Sequence, residues 1–178
     1  MYIKTERLEL KPLSEGDRDS MIALLTNSEI KKTYMLPDFE NEEQAEKLFL
    51  RLKEGSAAEK VYQVGIFLNG EVIGYANEVE RDGNAIELGY MIHPNHHNKG
   101  YGTEMLKAMI DEMFARGFKE VLAGAFEENP ASMRIMEKSG MIRIEKTDEI
   151  EYRGKVYKCV YYAKENENIQ AALLITKI

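Results

Sequence analysis

The sequence predicts an α+β fold: a mixed, mostly antiparallel sheet with helices packed against it. Three observations lead there. Val61 to Leu68 and Val72 to Val79 flank Asn69-Gly70, a dipeptide whose positive φ angles suit a type I′ hairpin. Asp82-Gly83 then turns the chain into Ala85 to His93, so three antiparallel strands follow one another. Between that third strand and a further one at Val121 to Phe126 lies a helix over 101–116. It places Met105, Leu106, Met109, Ile110, Met113 and Phe114 on one stripe, turns Lys107, Asp111 and Glu112 outward, and stops at Gly117.

The remaining elements follow in order. Residues 2–12 alternate imperfectly and end at Pro12, which predicts a first strand. Met21, Leu24 and Leu25 fit one short helix, and Ala45, Leu48, Phe49 and Leu52 fit a second that stops at Gly55. The stretch 31–40, with Tyr34, Met35, Leu36, Pro37 and Phe39, has no period and reads as a substrate-side loop. After Phe126, Asn129 is placed as a helix cap and Pro130 as the first helical residue. A final pair of strands surrounds Arg153-Gly154, and residues 166–178 form a polar linker followed by an apolar run of unassigned role.

The chain has 178 residues, enough for one substantial core and too few for two ordinary domains, so a single domain over 1–165 is expected, with 166–178 as a tail. A formal net charge of −7 argues against a nucleic-acid partner, because displacing counterions from phosphates needs clustered Lys and Arg. The one cysteine, Cys159, rules out an internal disulfide framework and fits a reducing compartment. With no leader-like start and no apolar run approaching the roughly 20 residues that cross a bilayer, a cytoplasmic, membrane-free protein is expected.

Chemistry concentrates at His97-Asn98-Lys99-Gly100-Tyr101-Gly102-Thr103-Glu104, a glycine-rich turn at the head of the strongest helix. Gly100 and Gly102 allow consecutive N–H groups to converge on one anion at the positive end of the helix dipole, a geometry that suits a pyrophosphate. A dinucleotide fingerprint fits poorly, since its third glycine would fall at Met105 and antiparallel hairpins precede the turn. Downstream, Asn129-Pro130-Ala131-Ser132 opens the short helix that ends at Gly140.

Four pieces, in order, carry a resemblance: Thr5-Glu6-Arg7-Leu8-Glu9-Leu10; Glu87-Leu88-Gly89-Tyr90-Met91-Ile92-His93-Pro94; the Lys99 to Glu104 turn; and Asn129 to Ser132 through Glu137-Lys138-Ser139-Gly140-Met141. Together they cover roughly residues 2–165 and resemble the GCN5-related N-acetyltransferase (GNAT) superfamily, within it the RimJ/RimL-type branch. The resemblance implies a GNAT-like three-layer α/β/α architecture whose sheet splays near Gly89 to admit acetyl-coenzyme A. It implies coenzyme contacts from Met91, Ile92, His93, His97, Asn98, Lys99, Gly100, Tyr101, Gly102, Thr103 and Asn129, with no metal. The family usually begins this loop with Arg or Gln and often has glycine where Asn98 stands, so His97 and Asn98 depart from its pattern. A bulge at Gly89 to Met91 would free a backbone N–H for the acetyl carbonyl.

The expected reaction is direct acetyl transfer to a primary amine in a ternary complex. By resemblance the acceptor is a protein N-terminal α-amine. A polyamine or other small amine, or a non-catalytic acyl-coenzyme A sensor, are the alternatives. Glu87, on the strand before the phosphate turn, is the candidate general base, although alternation alone also places a polar residue there. Ser132 is the candidate acid by resemblance. Many relatives use a tyrosine four residues later, where this chain has Met136, so Tyr90 or another tyrosine is the other candidate. His93, His96 and His97 invite a metal reading, but no second ligand cluster has recognisable spacing. Cys159 and the tyrosines at 152, 157, 161 and 162 read as packing residues, and a homodimer through the terminal strands or tail is a further expectation.

Overall fold

The computed structural model describes residues 1–167. Among the described residues, eight strands form one sheet in the order β1-β2-β3-β4-β5-β6-β8-β7. Their ranges are β1 (Ile3–Lys4), β2 (Leu8–Lys11), β3 (Gln63–Leu68), β4 (Glu71–Asp82), β5 (Ala85–Ile92), β6 (Glu120–Phe126), β7 (Ile142–Tyr152) and β8 (Lys155–Glu165). Helices α1 (Arg18–Thr26) and α2 (Glu42–Ala57) cover one face, and α3 (Tyr101–Ala115) and α4 (Pro130–Lys138) cover the other.

The predicted hairpin at Asn69-Gly70 forms with φ of 52° and 87°, both in the left-handed region that a type I′ turn requires. The first strand, by contrast, is two short strands. Ile3 pairs with Leu10 across a turn that the Thr5 hydroxyl closes by accepting from the Leu8 N–H at 2.9 Å. This local side-chain bond competes with strand continuation, which hydrophobic alternation alone does not reveal. Helix α2 runs two residues past Gly55, where the Ser56 hydroxyl donates back to the Lys53 carbonyl at 2.7 Å and accepts from Leu13 N at 2.9 Å.

Strand parity divides the core. Ile86, Leu88, Val121, Ala123, Val160 and the stripe Met105, Leu106, Met109, Ile110 and Met113 pack together on the α3/α4 face. Phe67, Tyr75 and Met91 pack with Met21, Leu24, Leu25 and Phe49 on the α1/α2 face. Cys159 is buried and Met136 is fully enclosed. No helix among the described residues is long and apolar enough to cross a membrane. Of the tail, only Asn166 and Glu167 fall within the described residues; the apolar run after them lies outside.

The decisive topological fact is between β5 and β6. They are parallel, and they pair only at Ala85↔Glu120, Ile86↔Val121 and Glu87↔Leu122. Beyond that point β5 continues through Ile92 against β4, while β6 continues through Phe126 against β8. The two strands therefore part company after Glu87, and a wedge opens in the middle of the sheet.

Candidate active site

Backbone geometry fixes which groups of β5 face the wedge. The His93 N–H donates to Ile73 O of β4 at 2.8 Å. Because main-chain polar groups alternate from side to side along a strand, those of Tyr90 and Ile92 point the other way, into the wedge. The expected bulge at Gly89 to Met91 is not there: β5 holds register with β4 from Gly89↔Asn77 to Ile92↔Gly74, and the irregularity lies on β4 between Glu78 and Glu80. Divergence of β6, rather than a bulge in β5, exposes the β5 backbone.

The glycine-rich turn stands at the wide end of the wedge. Asn98 has φ 60° and Gly100 has φ 83°. Asparagine is the non-glycine residue that best tolerates this left-handed conformation, so the departure at Asn98 preserves the turn. Gly102, in contrast, is helical, and its role is close approach: a Cβ there would lie 2.6 Å from Ile135 Cδ1 of α4. No side chain caps the start of α3, which leaves its first-turn N–H groups and its dipole directed at the turn.

Arg7, absent from the sequence-based site, holds this turn in place. Its Nη1 donates to Lys99 O at 2.9 Å, its guanidinium lies 4.6 Å over the Tyr101 ring, and Nε donates to Glu104 Oε2 at 2.7 Å. Glu104 Oε1 also accepts from Thr5 Oγ1 at 2.6 Å and from the Arg7 N–H at 2.8 Å. Burial pushes the Glu104 carboxyl up, but these hydrogen bonds and the Arg7 charge together hold it below its ordinary value. The Thr5-Glu6-Arg7 motif was visible in the sequence; its attachment to a helix almost a hundred residues away was not.

The histidines divide between roles. His97 Nε2 lies 2.8 Å from Ile92 O, so its ring spans from the turn to the wedge-facing edge of β5. His93 Nδ1 accepts from the Asn95 N–H at 3.2 Å, and Lys99 Nζ donates to Asn95 O at 2.9 Å. Among the described residues no group of three His, Cys, Asp or Glu side chains is arranged to hold a metal ion.

Glu87 and Ser132 stand on opposite faces of the sheet. Glu87 is the last β5 residue paired with β6 and projects on the α1/α2 face, where Lys146 Nζ lies 3.7 Å from its Oε2. Burial raises its pKa, Lys146 partly offsets this, and the nearby Glu80 and Asp148 add to the rise. On the α3/α4 face, Tyr90 Oη lies 2.8 Å from Ser132 Oγ. Burial pushes the Tyr90 phenol up to about 12, with the Ser132 hydrogen bond acting the other way, so the phenol keeps its proton near neutrality. Asn129 Oδ1 accepts from the Ser132 N–H at 3.2 Å, the cap that sets the serine's position.

The loop 31–40, expected on the substrate side, meets the β7–β8 hairpin. Tyr152 Oη sits 2.9 Å from Lys31 O and 3.1 Å from Leu36 O, and Arg153 pairs with Asp38. Tyr152 is thus a tertiary fastener rather than only a sheet residue. Behind it Phe126 stacks on Tyr157 with centroids 4.5 Å apart, and Tyr161 donates to Asp148 Oδ2 at 2.7 Å.

A parallel strand pair that parts to expose backbone, with an anion-ready helix terminus at its mouth and a carboxylate and a hydroxyl pair on opposite faces, defines an acyltransferase that works on a coenzyme thioester. The chain belongs to the GNAT acetyltransferase family, whose domain model matches residues 7–142. It is similar to YnaD of Bacillus subtilis, an uncharacterised N-acetyltransferase, with 29% identity over 151 residues, covering 80% of this chain and 84% of that protein. A GNAT-family acetyltransferase from Bacillus anthracis has the same fold, with a TM-score of 0.81 and 25% identity over 94% of this chain and 99% of that one. RimL, a ribosomal L7/L12 alpha-N-protein acetyltransferase solved with coenzyme A, matches in fold with a TM-score of 0.78 at 18% identity, covering 93% and 98%. The protein is therefore an acetyl-coenzyme A-dependent acyltransferase.

Proposed function

We propose that this enzyme, through a domain spanning 1–165, acetylates the α-amine of an amino-acid residue, in the manner of the RimJ/RimL branch, by direct transfer in a ternary complex. The observation that carries the reading is the placement of Glu87 and the Tyr90–Ser132 pair on opposite faces of β5 at the point where the sheet opens. An amine arriving from the α1/α2 side meets a base, and a thiolate departing on the α3/α4 side meets an acid.

Bound acetyl-coenzyme A supplies the acetyl thioester. Residues fit its parts: the uncapped start of α3 and the turn from His97 through Thr103 suit the pyrophosphate, and Asn129, at the head of α4, would hold the pantetheine arm. The wedge-facing backbone of β5, with the neighbouring Met91 and His93, would line the acyl end, and the Ile92 N–H would be free to donate to the acetyl carbonyl oxygen. Glu87 takes the proton of the ammonium, directly or through water, and its raised pKa suits that task. The amine nitrogen then bonds to the acetyl carbon as the carbon–sulfur bond breaks, and sheds its second proton to water. Ser132 gives its proton to the thiolate, is reprotonated by Tyr90, and Tyr90 recovers its proton from solvent.

The test is release of free coenzyme A thiol with a panel of N-terminal peptides, amino-acid amides and polyamines. Release confined to α-amines supports the reading. Release only with polyamines would replace the acceptor, and coenzyme binding without release from any amine would favour a sensor.

A further inference from the structure

On the α1/α2 side, one register step from the wedge, lies a cavity of about 220 Å³. Its floor is the sheet, where Gln63, Tyr75, Asn77 and Met91 share one face, and Leu48 and Leu52 of α2 form part of its wall. An apolar cavity of about 150 Å³ is large enough to bind benzene, so this one admits an aromatic side chain with space to spare. Gly89 lies opposite Asn77, between Met91 of the cavity and Glu87 on the same face of β5, and a Cβ there would lie 3.0 Å from Val79 Cγ2 and 3.4 Å from Asn77 Oδ1.

The two phenols of the cavity have a defined sense, beside the Gln63 amide and Glu78, whose carboxylate is paired with Arg81 and accepts from the Tyr62 N–H. Tyr34 donates to Asn77 Oδ1 at 2.6 Å, and the Asn77 amide is oriented by its own donation to Glu78 O at 2.8 Å. Tyr75 donates to Gln63 Oε1. Both phenols have committed their single proton to an amide oxygen, so toward a ligand each presents only lone pairs. Burial pushes the Tyr34 phenol up to about 12 and the Tyr75 phenol higher still, so both stay neutral. A buried acceptor without a charge rewards a neutral donor and penalises a ligand that brings another acceptor.

We propose that this cavity holds the side chain of the acceptor, and that it selects a large, mostly apolar side chain ending in a hydrogen-bond donor, namely an indole or a phenol. This rests on the α-amine reading above. The amine would lie beside Gly89 within reach of the Glu87 side, with the ring over Met91 and its donor directed at a tyrosine oxygen.

The test exploits the absence of tryptophan from the chain. L-Tryptophanamide titrated into the protein with coenzyme A present should show a blue-shifted indole emission, read without background from the protein's own indoles. Turnover should favour tryptophanamide and tyrosinamide over alaninamide by at least roughly tenfold, and over phenylalaninamide by a smaller factor. Leu52→Phe, which fills the cavity, and Tyr75→Phe, which removes one acceptor, should each lower the tryptophanamide-to-alaninamide ratio, with coenzyme binding by calorimetry as the check on folding. Equal turnover of all four amides, or an unchanged ratio in both variants, would overturn the cavity assignment. So would an unshifted emission. A shifted emission with no turnover of any amine would leave the cavity as a ligand site and overturn the transfer reading instead.

Discussion

At the scale of single residues, the chemistry turns on what burial and neighbours do to two protons. Glu87 must be deprotonated to act as a base, and burial raises its pKa, so the acid limb of kcat/KM should lie above the ordinary carboxylate range, with activity increasing as pH rises through it. Lys146 opposes the rise, so Lys146→Ala should move that limb to still higher pH; a limb that stays in place would show that the carboxylate does not titrate in catalysis. Glu87→Gln should remove the limb and lower kcat by roughly 10²–10⁴ with little change in coenzyme affinity. The Tyr90–Ser132 contact makes a second prediction. If the two hydroxyls pass one proton, Tyr90→Phe and Ser132→Ala should each slow turnover, and the double variant should be little slower than the worse single one. Additive losses would separate them into independent roles. The face of the sheet on which Glu87 lies was legible, because alternation aims it away from Leu88. The serine–tyrosine pair was legible only as a choice between candidates, since a separation of 42 positions becomes a contact through the α3–β6 crossover.

At the scale of elements, the most informative contacts join segments far apart in sequence. Arg7 ties the β1–β2 turn to Lys99 and Glu104, so Arg7→Ala should raise the dissociation constant of coenzyme A by roughly three- to tenfold while leaving kcat at saturation nearly intact. The guanidinium's partial exposure keeps the effect modest, and an unchanged constant would show that the turn holds its shape alone. Tyr152 fastens the hairpin tip to the 31–40 loop through one well-placed hydroxyl. Tyr152→Phe should cost about 1 kcal/mol locally and speed amide exchange in that loop, with a higher KM for the acceptor than for the coenzyme. Periodicity and turn chemistry made α3, the Asn69-Gly70 hairpin and the run of three antiparallel strands readable in advance. They did not reveal the break of the first strand at Thr5, which local hydrogen bonds between Thr5 and Leu8 make, nor the bulge on β4 in place of β5. The break involves a side-chain bond that hydrophobic alternation does not register, and the bulge depends on how neighbouring strands meet, which a local pattern does not encode. The loop 31–40 was placed on the substrate side, yet its fastening to Tyr152 and Arg153 requires the whole sheet to be assembled first.

At the scale of the whole molecule, the sheet is two antiparallel halves joined by three residue pairs. β1 to β5 form one half and β6 to β8 the other, and only Ala85, Ile86 and Glu87 of β5 hold register with β6. The wedge that serves the reaction is thus also a seam in the fold. It is bridged at one side by α3 and its packing, and at the other by the hairpin tip on the 31–40 loop. A ligand lying in the seam and bonding to the β5 backbone adds a third bridge, and its binding free energy becomes stability of the native state. With coenzyme A at about 100 times its dissociation constant the gain is about 2.7 kcal/mol, which for a chain of this size corresponds to a rise in melting temperature of roughly 5–11 °C. The location of the gain separates this account from binding elsewhere. Amide exchange should slow at Leu88 to Ile92 and at the start of α3, while the β7–β8 hairpin, which a ligand in the wedge does not touch, should gain only what global stabilisation gives every amide. Protection concentrated in the hairpin, or a melting temperature indifferent to coenzyme A, would place the coenzyme outside the wedge and undo the assignment of β5 as its binding edge.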